Sequence, residues 1–171
     1  MKKLQYIIVC IVCILLFTAC GNTKTLPSDL SAKEIADAII QQEGNSPKAN
    51  TYYLKDDNAL NAYTMSLWVD GAYQECAEFD LLDDYAVFYS ADNSTYEVAV
   101  LKASDQAGVS QLTKALERRK QTLSQGDKAE YDPNFNKLMS DSKIIASGDF
   151  VILIITPNNS TAVTAIDSFK K

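Results

Sequence analysis

Five carboxylates within ten residues form the densest set of side chains in this chain that could do chemistry. They are Glu75, Glu78, Asp80, Asp83 and Asp84, and no basic residue lies among them. Such a set could supply the acid and base of a glycosidase, bind calcium, or dock a basic partner. It could also be a solvated acidic face, because burying unpaired carboxylates costs several kcal/mol each. We favour the solvated face and keep the docking face as the first functional alternative.

The surrounding composition excludes several classes of function. Residues 56–105 hold eleven Asp or Glu and one lysine, and the whole chain has a net charge of −6. The chain contains no histidine, which excludes Ser-His-Asp and Cys-His catalysis and removes the commonest zinc and copper ligand. An acidic chain also lacks the basic face that nucleic acid requires. We therefore predict no cofactor, no metal site and no nucleic-acid partner.

The N-terminus could carry a different chemistry, the attachment of lipid to a cysteine. Two lysines precede an apolar run over residues 6–17, and Thr18 and Ala19 precede Cys20. This pattern is typical of a secretory signal peptide with its small-residue cleavage site. It resembles a bacterial lipobox, in which the cysteine after the cleavage site is lipidated. We predict a signal peptide over residues 1–19 and a lipid anchor on Cys20 at the extracytoplasmic face of the cell membrane.

Cleavage before Cys20 leaves one domain on a short connection. The net charge falls from −6 to −8, because the signal peptide carries two lysines and no acid. Residues 20–29 are small and polar and predict a flexible tether, and residues 30–171 predict a single α+β domain. Cys76 is then the one cysteine without lipid, which argues against a disulfide framework and for a small buried residue.

Two further groups of residues have both a functional and a structural interpretation. The aromatic residues Trp68, Tyr52, Tyr53, Tyr63 and Tyr73 could line a sugar-binding surface, but at this density we favour core and rim positions. The basic run over residues 118–120 could meet phosphate or anionic lipid. Because consecutive residues of a helix point in different directions, we favour a solvated helix for this run.

Local sequence signals predict the elements that position these residues. A capping box at Ser31 and Glu34 begins a helix over residues 32–42. The other predicted helices are a short one within 57–67, a long one from Asp105 to Gly126, one over 134–140, and a final one capped by Asn159 or Ser160. Residues 73–80 fit either a strand or a helix, and we favour a strand. The other predicted strands form two hairpins, 85–89 with 96–101 and 143–146 with 150–155, while residues 45–56 are predicted as loop.

The second half of the domain repeats the first at an offset of 54 residues. Each half consists of two strands and a helix, and both second strands are continuous apolar runs, which favours central positions covered on both faces. We predict an α+β fold in which an antiparallel sheet is built from two ββα units, with helices packed on it and an N-terminal helix before it. We expect both repeat helices on one face, and Val100 and Ile154 to be fully buried on adjacent central strands.

Several blocks of the chain carry a family resemblance, namely residues 30–36, 97–119, 131–133 and 143–155. In these blocks the chain is similar to small lipoproteins of Gram-positive bacteria that carry an uncharacterised domain of unknown function. The blocks contain caps, core strands and turns, so that the resemblance implies export and a fold but no mechanism and no site residues. Residues 64–83 depart from the family pattern, which has a shorter connection there.

These observations favour a lipid-anchored extracytoplasmic protein that binds as an accessory factor and has no catalytic site. We expect its partners to be the membrane, through the lipid, and an unknown protein or wall-associated molecule. The alternatives are a small hydrolase that uses carboxylates within residues 70–84, and a solute-binding component of a transporter. The second is disfavoured because the chain is shorter than the usual two-lobed binding protein.

Overall fold

The computed structural model describes residues 24–44, 46–54 and 56–171. Over these residues the chain is a mixed α+β fold with a five-stranded antiparallel sheet and an N-terminal helix, which confirms the predicted fold class. The predicted signal peptide at residues 1–19 and the predicted lipidation site Cys20 lie outside the described residues.

The described residues contain six helices, five strands and a 3₁₀ helix at Ala77–Leu81. The helices are α1 Ala32–Glu43, α2 Ala62–Asp70, α3 Gln106–Gln125, α4 Lys128–Tyr131, α5 Phe135–Asp141 and α6 Asn159–Asp167. The strands are β1 Ala49–Tyr53, β2 Leu82–Ser90, β3 Glu97–Ala103, β4 Lys143–Ser147 and β5 Phe150–Ile155. They lie in the order β1-β2-β3-β5-β4, and all neighbours are antiparallel. None of the described helices combines the length and the apolar character needed to cross a membrane.

The first helix, α1, forms where its local signals predict it. The Ser31 hydroxyl accepts from the Glu34 N–H at 3.2 Å, and the Glu34 carboxylate accepts from the Ser31 N–H at 2.8 Å. Ile35 and Ile39 lie on one face of α1 and are completely buried. Gly44 ends the helix with a φ of 75°, a left-handed conformation that glycine adopts without strain.

The central strands β3 and β5 are buried on both faces of the sheet. All residues of β5 are buried, and so are all but one of β3. Val100 and Ile154 both have 0% exposure on these adjacent strands, which confirms the core prediction. Helices therefore cover both faces of the sheet.

The two faces of the sheet carry different helices. Odd-numbered side chains such as Leu101 and Leu153 pack against α2 and α3, whereas even-numbered ones such as Val98 and Ile152 pack against α1 and α6. The prediction that both repeat helices lie on one face is therefore wrong.

The reason lies in the connections that lead into the two helices. Val98 and Ile152 align at the offset of 54 residues and lie on the same face, but the aligned Leu112 of α3 and Ile166 of α6 lie on opposite faces. Two residues separate β3 from α3, and three separate β5 from α6. The spacing from the aligned strand residue to the aligned helix residue is the same in both halves, so that the path of the connection, and not an added residue, determines which face each helix covers.

Two predictions fail between α1 and β2. The predicted loop over residues 45–56 contains β1, a five-residue strand whose hydrogen-bonding partner is β2. The predicted strand over residues 73–80 is wrong, because part of it forms the 3₁₀ helix at Ala77–Leu81. With β1 on one side of β2 and β3 on the other, no free edge of β2 remains for another strand.

The predicted second hairpin and final helix are present with one shift. The turn between β4 and β5 contains Gly148, whose φ is 59°. The N-cap of the final helix α6 is Asn158, whose side chain accepts from the Thr161 N–H, and not Asn159 or Ser160 as predicted. The helix therefore begins one residue before the earlier of the two predicted starts.

Residues 24–29 lie against the domain, although the sequence predicts a flexible tether there. Leu26 is only 2% exposed and joins the core cluster of α1 and α6. Its N–H donates to the Ser147 hydroxyl at 3.1 Å, and the Lys171 N–H donates to the Thr25 carbonyl at 3.2 Å. These contacts hold part of residues 24–29, which we call the docked segment, against the domain, and the flexible tether stays a prediction. The rest of the predicted tether lies outside the described residues.

Candidate binding site

The carboxylates that the sequence singles out have different surroundings. Glu75 and Asp80 are exposed. Glu78 is half-buried, and its Oε1 lies 2.9 Å from Arg118 Nη1, while Asp70 Oδ1 lies 2.8 Å from Arg118 Nε. Burial acts to raise the pKa of Glu78, but the hydrogen bonds from Arg118, from its own backbone N–H and from Cys76, together with the charge of Arg118, outweigh burial, and the pKa lies below its usual range.

The remaining two carboxylates of the set contact distant parts of the chain. The exposed Asp83 lies 2.7 Å from Lys102 Nζ on the neighbouring strand. Asp84 accepts from the Ala32 N–H at 2.7 Å, at the N-terminus of α1, where a negative charge is favourable. Three of the five carboxylates thus have structural partners, and the acidic docking face stays a prediction. Within the described residues, no group of three or more His, Cys, Asp or Glu is arranged to hold a metal ion.

Cys76 is a buried residue, as predicted, with 4% exposure. Its thiol donates to the Glu78 carboxylate at 3.3 Å. Burial, together with this hydrogen bond, raises the pKa of the Cys76 thiol to about 11. The thiol is therefore protonated and unreactive at neutral pH.

A charged pair is buried between the sheet and α3. The side chains of Glu97, at the start of β3, and Arg119 are 2% and 11% exposed. Arg119 Nη2 lies 2.7 Å from Glu97 Oε2, and Arg119 Nε lies 3.0 Å from Glu97 Oε1. The indole N–H of Trp68 donates to Glu97 Oε1 at 2.9 Å, and the Trp68 carbonyl accepts from Arg119 Nη1 at 2.8 Å.

This pair was not among the residues that the sequence predicts to be functional. Arg119 belongs to the basic run predicted as solvated, but it is three residues after Leu116 and four before Leu123, both buried. That spacing places Arg119 on the apolar face of α3. Glu97 is likewise the one acid in a strand of otherwise apolar residues over 96–101. Each position was a charged residue in an apolar pattern, and this is the signal that could have identified the pair.

A cavity of about 180 Å³ lies beside the pair, lined by Tyr52, Thr64, Leu67, Trp68, Tyr89 and Arg119. We call it the aromatic pocket. The rings of Tyr52 and Tyr89 stack with centroids 5.9 Å apart, and their hydroxyls are hydrogen-bonded at 3.2 Å. Burial and then the bond with Tyr52 raise the pKa of Tyr89 to about 12, so that the Tyr89 hydroxyl carries its proton at neutral pH.

An exposed apolar patch borders the aromatic pocket. Tyr63 and Leu67 lie one turn apart on α2 and are 44% and 50% exposed, and Tyr73 is 71% exposed. The rings of Tyr63 and Tyr73 stack with centroids 5.2 Å apart. Leu67 belongs to both the patch and the pocket, so that the two form one surface, which we call the aromatic surface.

The structure separates the aromatic residues that the sequence grouped together. Tyr52 and Trp68 line the pocket, and Tyr63 and Tyr73 form the patch beside it. Tyr53 lies on the opposite face of the sheet, where its ring is 4.9 Å from Lys33 Nζ. Larger concave regions of about 480 and 390 Å³ are lined mainly by polar residues and do not include this combination of buried charge and aromatic rings.

Comparison with protein families identifies the segment that holds the buried pair. Residues 78–156 match the family model described as Domain of unknown function (DUF4358). This match bears out the part of the expected resemblance that concerns an uncharacterised domain. Comparison with curated proteins and with solved structures gives no match.

The DUF4358 segment runs from the 3₁₀ helix to the end of β5 and covers less than half of the chain. It contains Glu97, Arg119 and Tyr89. Tyr52, Leu67 and Trp68 come from β1 and α2, which precede the segment. The pocket therefore combines a buried pair from the DUF4358 segment with walls contributed by the rest of the chain.

Proposed function

We propose that this protein is a lipid-anchored binding module at the outer face of the cell membrane of a Gram-positive bacterium. Cys20 carries the lipid, and the aromatic surface contacts the partner. The N-terminal sequence supports the anchor, since a basic start, a short apolar run and a small-residue site precede Cys20.

The observation that carries the binding function is the exposure of large apolar side chains beside the aromatic pocket. Tyr63, Leu67 and Tyr73 are between 44% and 71% exposed and lie next to one another at the pocket rim. Tyrosine, tryptophan and arginine are the residues enriched at binding hot spots, and all three types occur in this surface. Scattered apolar side chains need no explanation, but a contiguous patch is typical of an interaction site.

The docked segment supports a defined orientation of the domain on the membrane. The five residue steps from Cys20 to Thr25 can span at most roughly 18 Å. Leu26 lies at the end of the sheet that contains the β4–β5 turn, where Phe150 pairs with Lys102. Tyr89 pairs with Glu97, five residues farther along β3, which corresponds to roughly 17 Å. The lipid would therefore place the aromatic pocket at the membrane-distal end.

The two alternative functions gain no specific observation. The hydrolase alternative needs free carboxylates within residues 70–84, where Asp70 and Glu78 bind Arg118, Asp83 binds Lys102, and Asp84 accepts from the N-terminus of α1. The other two, Glu75 and Asp80, are exposed and do not line the aromatic pocket. The solute-binding component of a transporter would enclose its solute between two lobes, whereas the aromatic pocket lies on one domain and opens at the exposed Leu67.

Site-specific photocrosslinking in intact cells tests the binding function. A photoreactive residue at Leu67 is expected to give a discrete crosslinked species, which the additional change Tyr73→Ala reduces. The matched control is the same photoreactive residue at Asp37, which is exposed on α1 at the other face of the sheet. Equal crosslinking from both positions, or none from Leu67, would contradict the proposal.

The anchor is tested separately by fractionation. Cys20→Ala should move the protein out of the membrane fraction or leave it as the uncleaved precursor. A mature N-terminus at another residue, without lipid, would contradict this part of the proposal.

A further inference from the structure

The aromatic pocket presents more hydrogen-bond donors than acceptors. Arg119 has five N–H groups, of which Nε–H and one on each Nη are used by Glu97 and the Trp68 carbonyl. Two N–H groups of Arg119 therefore have no acceptor within the described part of the chain. The Tyr52 and Tyr89 hydroxyls share one hydrogen bond, so that one of their two protons is also unused there.

The charged acceptor beside the pocket, the Glu97 carboxylate, is already occupied. Glu97 Oε1 accepts from Trp68 and Arg119, and Glu97 Oε2 accepts twice from Arg119. The Thr64 hydroxyl donates to the Asn61 carbonyl at 3.2 Å and accepts from the Asn61 N–H at 2.8 Å. A ligand that satisfies this pocket must therefore bring acceptors.

The charge that faces the pocket is that of Arg119, and Glu97 balances it, so that the buried pair is neutral. Lys128 does not line the pocket; its Nζ donates to the Ser94 carbonyl at 2.6 Å, and the carboxylates of Glu97, Asp92 and Asp132 all act on its charge. The free N–H groups of Arg119 therefore carry the recognition, and hydrogen bonds from a guanidinium are strongest when the acceptor is an anion.

We infer that the aromatic pocket binds a carboxylate carried on an apolar stem. The free N–H groups of Arg119 and the phenol proton would bind the carboxylate, and Leu67, Trp68 and the two tyrosine rings would contact the stem. The cavity of about 180 Å³ has room for a single residue-sized group. The C-terminal residue of a peptide and a small free acid both have this chemistry. The inference deepens the proposed function and rests on it, since it names the chemical class of ligand that the aromatic surface binds.

The fluorescence of Trp68 gives a direct measurement, because Trp68 lines the pocket and is the one tryptophan of the chain. The full-length protein in detergent micelles is titrated with the peptide Ala-Ala-Leu, with its C-terminal amide, and with isovalerate. A saturable change is expected with the free peptide, and the amide should bind at least about tenfold more weakly, since hydrogen bonds to a charged group are lost. Isovalerate distinguishes the sources: affinity equal to the peptide's indicates a free acid, and weaker binding indicates a peptide terminus.

Equal affinity for the peptide and its amide would overturn the inference. It would also be overturned if neither the free peptide nor isovalerate, at about 10 mM, gave a fluorescence change or a calorimetric heat. Positive crosslinking at Leu67 together with either result would leave the proposed function intact and refute only the carboxylate ligand.

Paired tyrosine variants test the role of the phenol. Tyr52→Phe or Tyr89→Phe alone leaves one hydroxyl proton available, so that affinity for the free peptide should change little. The double variant leaves none and should weaken free-peptide binding by about tenfold while affinity for the amide stays the same. Tyr131→Phe is the control, since Tyr131 is 56% exposed and does not line the pocket. If the double variant keeps its melting temperature and still binds the free peptide with unchanged affinity, the inference is overturned.

Discussion

Burial decides what each charged residue contributes to this protein. The exposed pair Lys33 and Asp37 lies on the surface of α1, with side chains about half exposed. Glu97 and Arg119 are almost entirely removed from water, and each is bonded to Trp68 as well as to the other. Exposed ion pairs contribute little to stability, whereas removing one partner of a buried pair leaves an uncompensated charge.

Glu97→Gln should therefore destabilise the protein by about 3–5 kcal/mol, because it leaves the Arg119 charge without its carboxylate. The matched change Asp37→Asn, at the exposed pair, should cost no more than about 1 kcal/mol. Urea unfolding followed by circular dichroism measures both free energies. Equal effects of the two substitutions would show that the buried pair has no special energetic role.

The Cys76 thiol should react slowly, because its pKa is raised to about 11 and it is buried. A variant in which Cys10, Cys13 and Cys20 are replaced by Ser leaves Cys76 as the one cysteine. At pH 8 its reaction with a thiol reagent should be slower than that of the unfolded protein by on the order of a hundredfold. The rate should rise to that of a free thiol in denaturant. Fast reaction in the folded protein would contradict the buried position.

At the scale of the elements, the β4–β5 turn and the docked segment depend on each other. Gly148 has a φ of 59°, and a Cβ built there would lie 2.6 Å from the Leu26 carbonyl oxygen. The glycine is thus required for two reasons, the left-handed conformation and the close approach of the docked segment. Gly44 has a φ of 75° but no atom within 4 Å of such a Cβ.

These two glycines form a matched pair of tests. Gly44→Ala should cost about 1–2 kcal/mol, from the left-handed conformation alone. Gly148→Ala should cost more, and it should also displace Leu26, because the contact is with backbone. Hydrogen exchange at the Leu26 amide, measured beside unfolding free energies, separates the two effects. If Leu26 exchanges equally slowly in both variants, the docked segment does not depend on Gly148.

At the scale of the whole molecule, a lipid on Cys20 would combine with the docked segment to fix the orientation of the domain. The docked segment and the C-terminal residue lie together, since Lys171 N–H donates to the Thr25 carbonyl. The aromatic pocket lies roughly 17 Å away along the strands. Cleavage before Cys20 would change the net charge from −6 to −8, and the resulting repulsion from anionic lipid would favour an upright domain.

Energy transfer to labelled lipid headgroups tests this orientation. A fluorophore on Lys171→Cys should transfer more efficiently than one on Leu67→Cys when the lipidated protein is in vesicles. Both positions are exposed, and the buried Cys76 should not be labelled. Equal efficiency, or a greater one from position 67, would contradict the membrane-distal placement of the pocket.

The sequence by itself determined the features that depend on neighbouring residues. The capping box of α1, the two hairpins, the cap of α3 at Asp105, and the burial of Val100 and Ile154 follow from hydrogen bonds and side-chain alternation over a few positions. Part of the candidate site was also visible, since Trp68 and Tyr52 stood out as aromatic residues.

Only the tertiary structure decided the features that join distant segments. The face covered by α6, the strand β1, the Glu97–Arg119 pair and the docking of Leu26 each depend on a partner far along the chain. Glu97 and Arg119 are 22 residues apart, and Leu26 and Ser147 are 121 apart. A pattern of neighbours shows that a residue is apolar or charged, but the partner that satisfies it is fixed only when the chain has packed. That is why acids with no basic neighbour in sequence nevertheless have ion-pair partners in the fold.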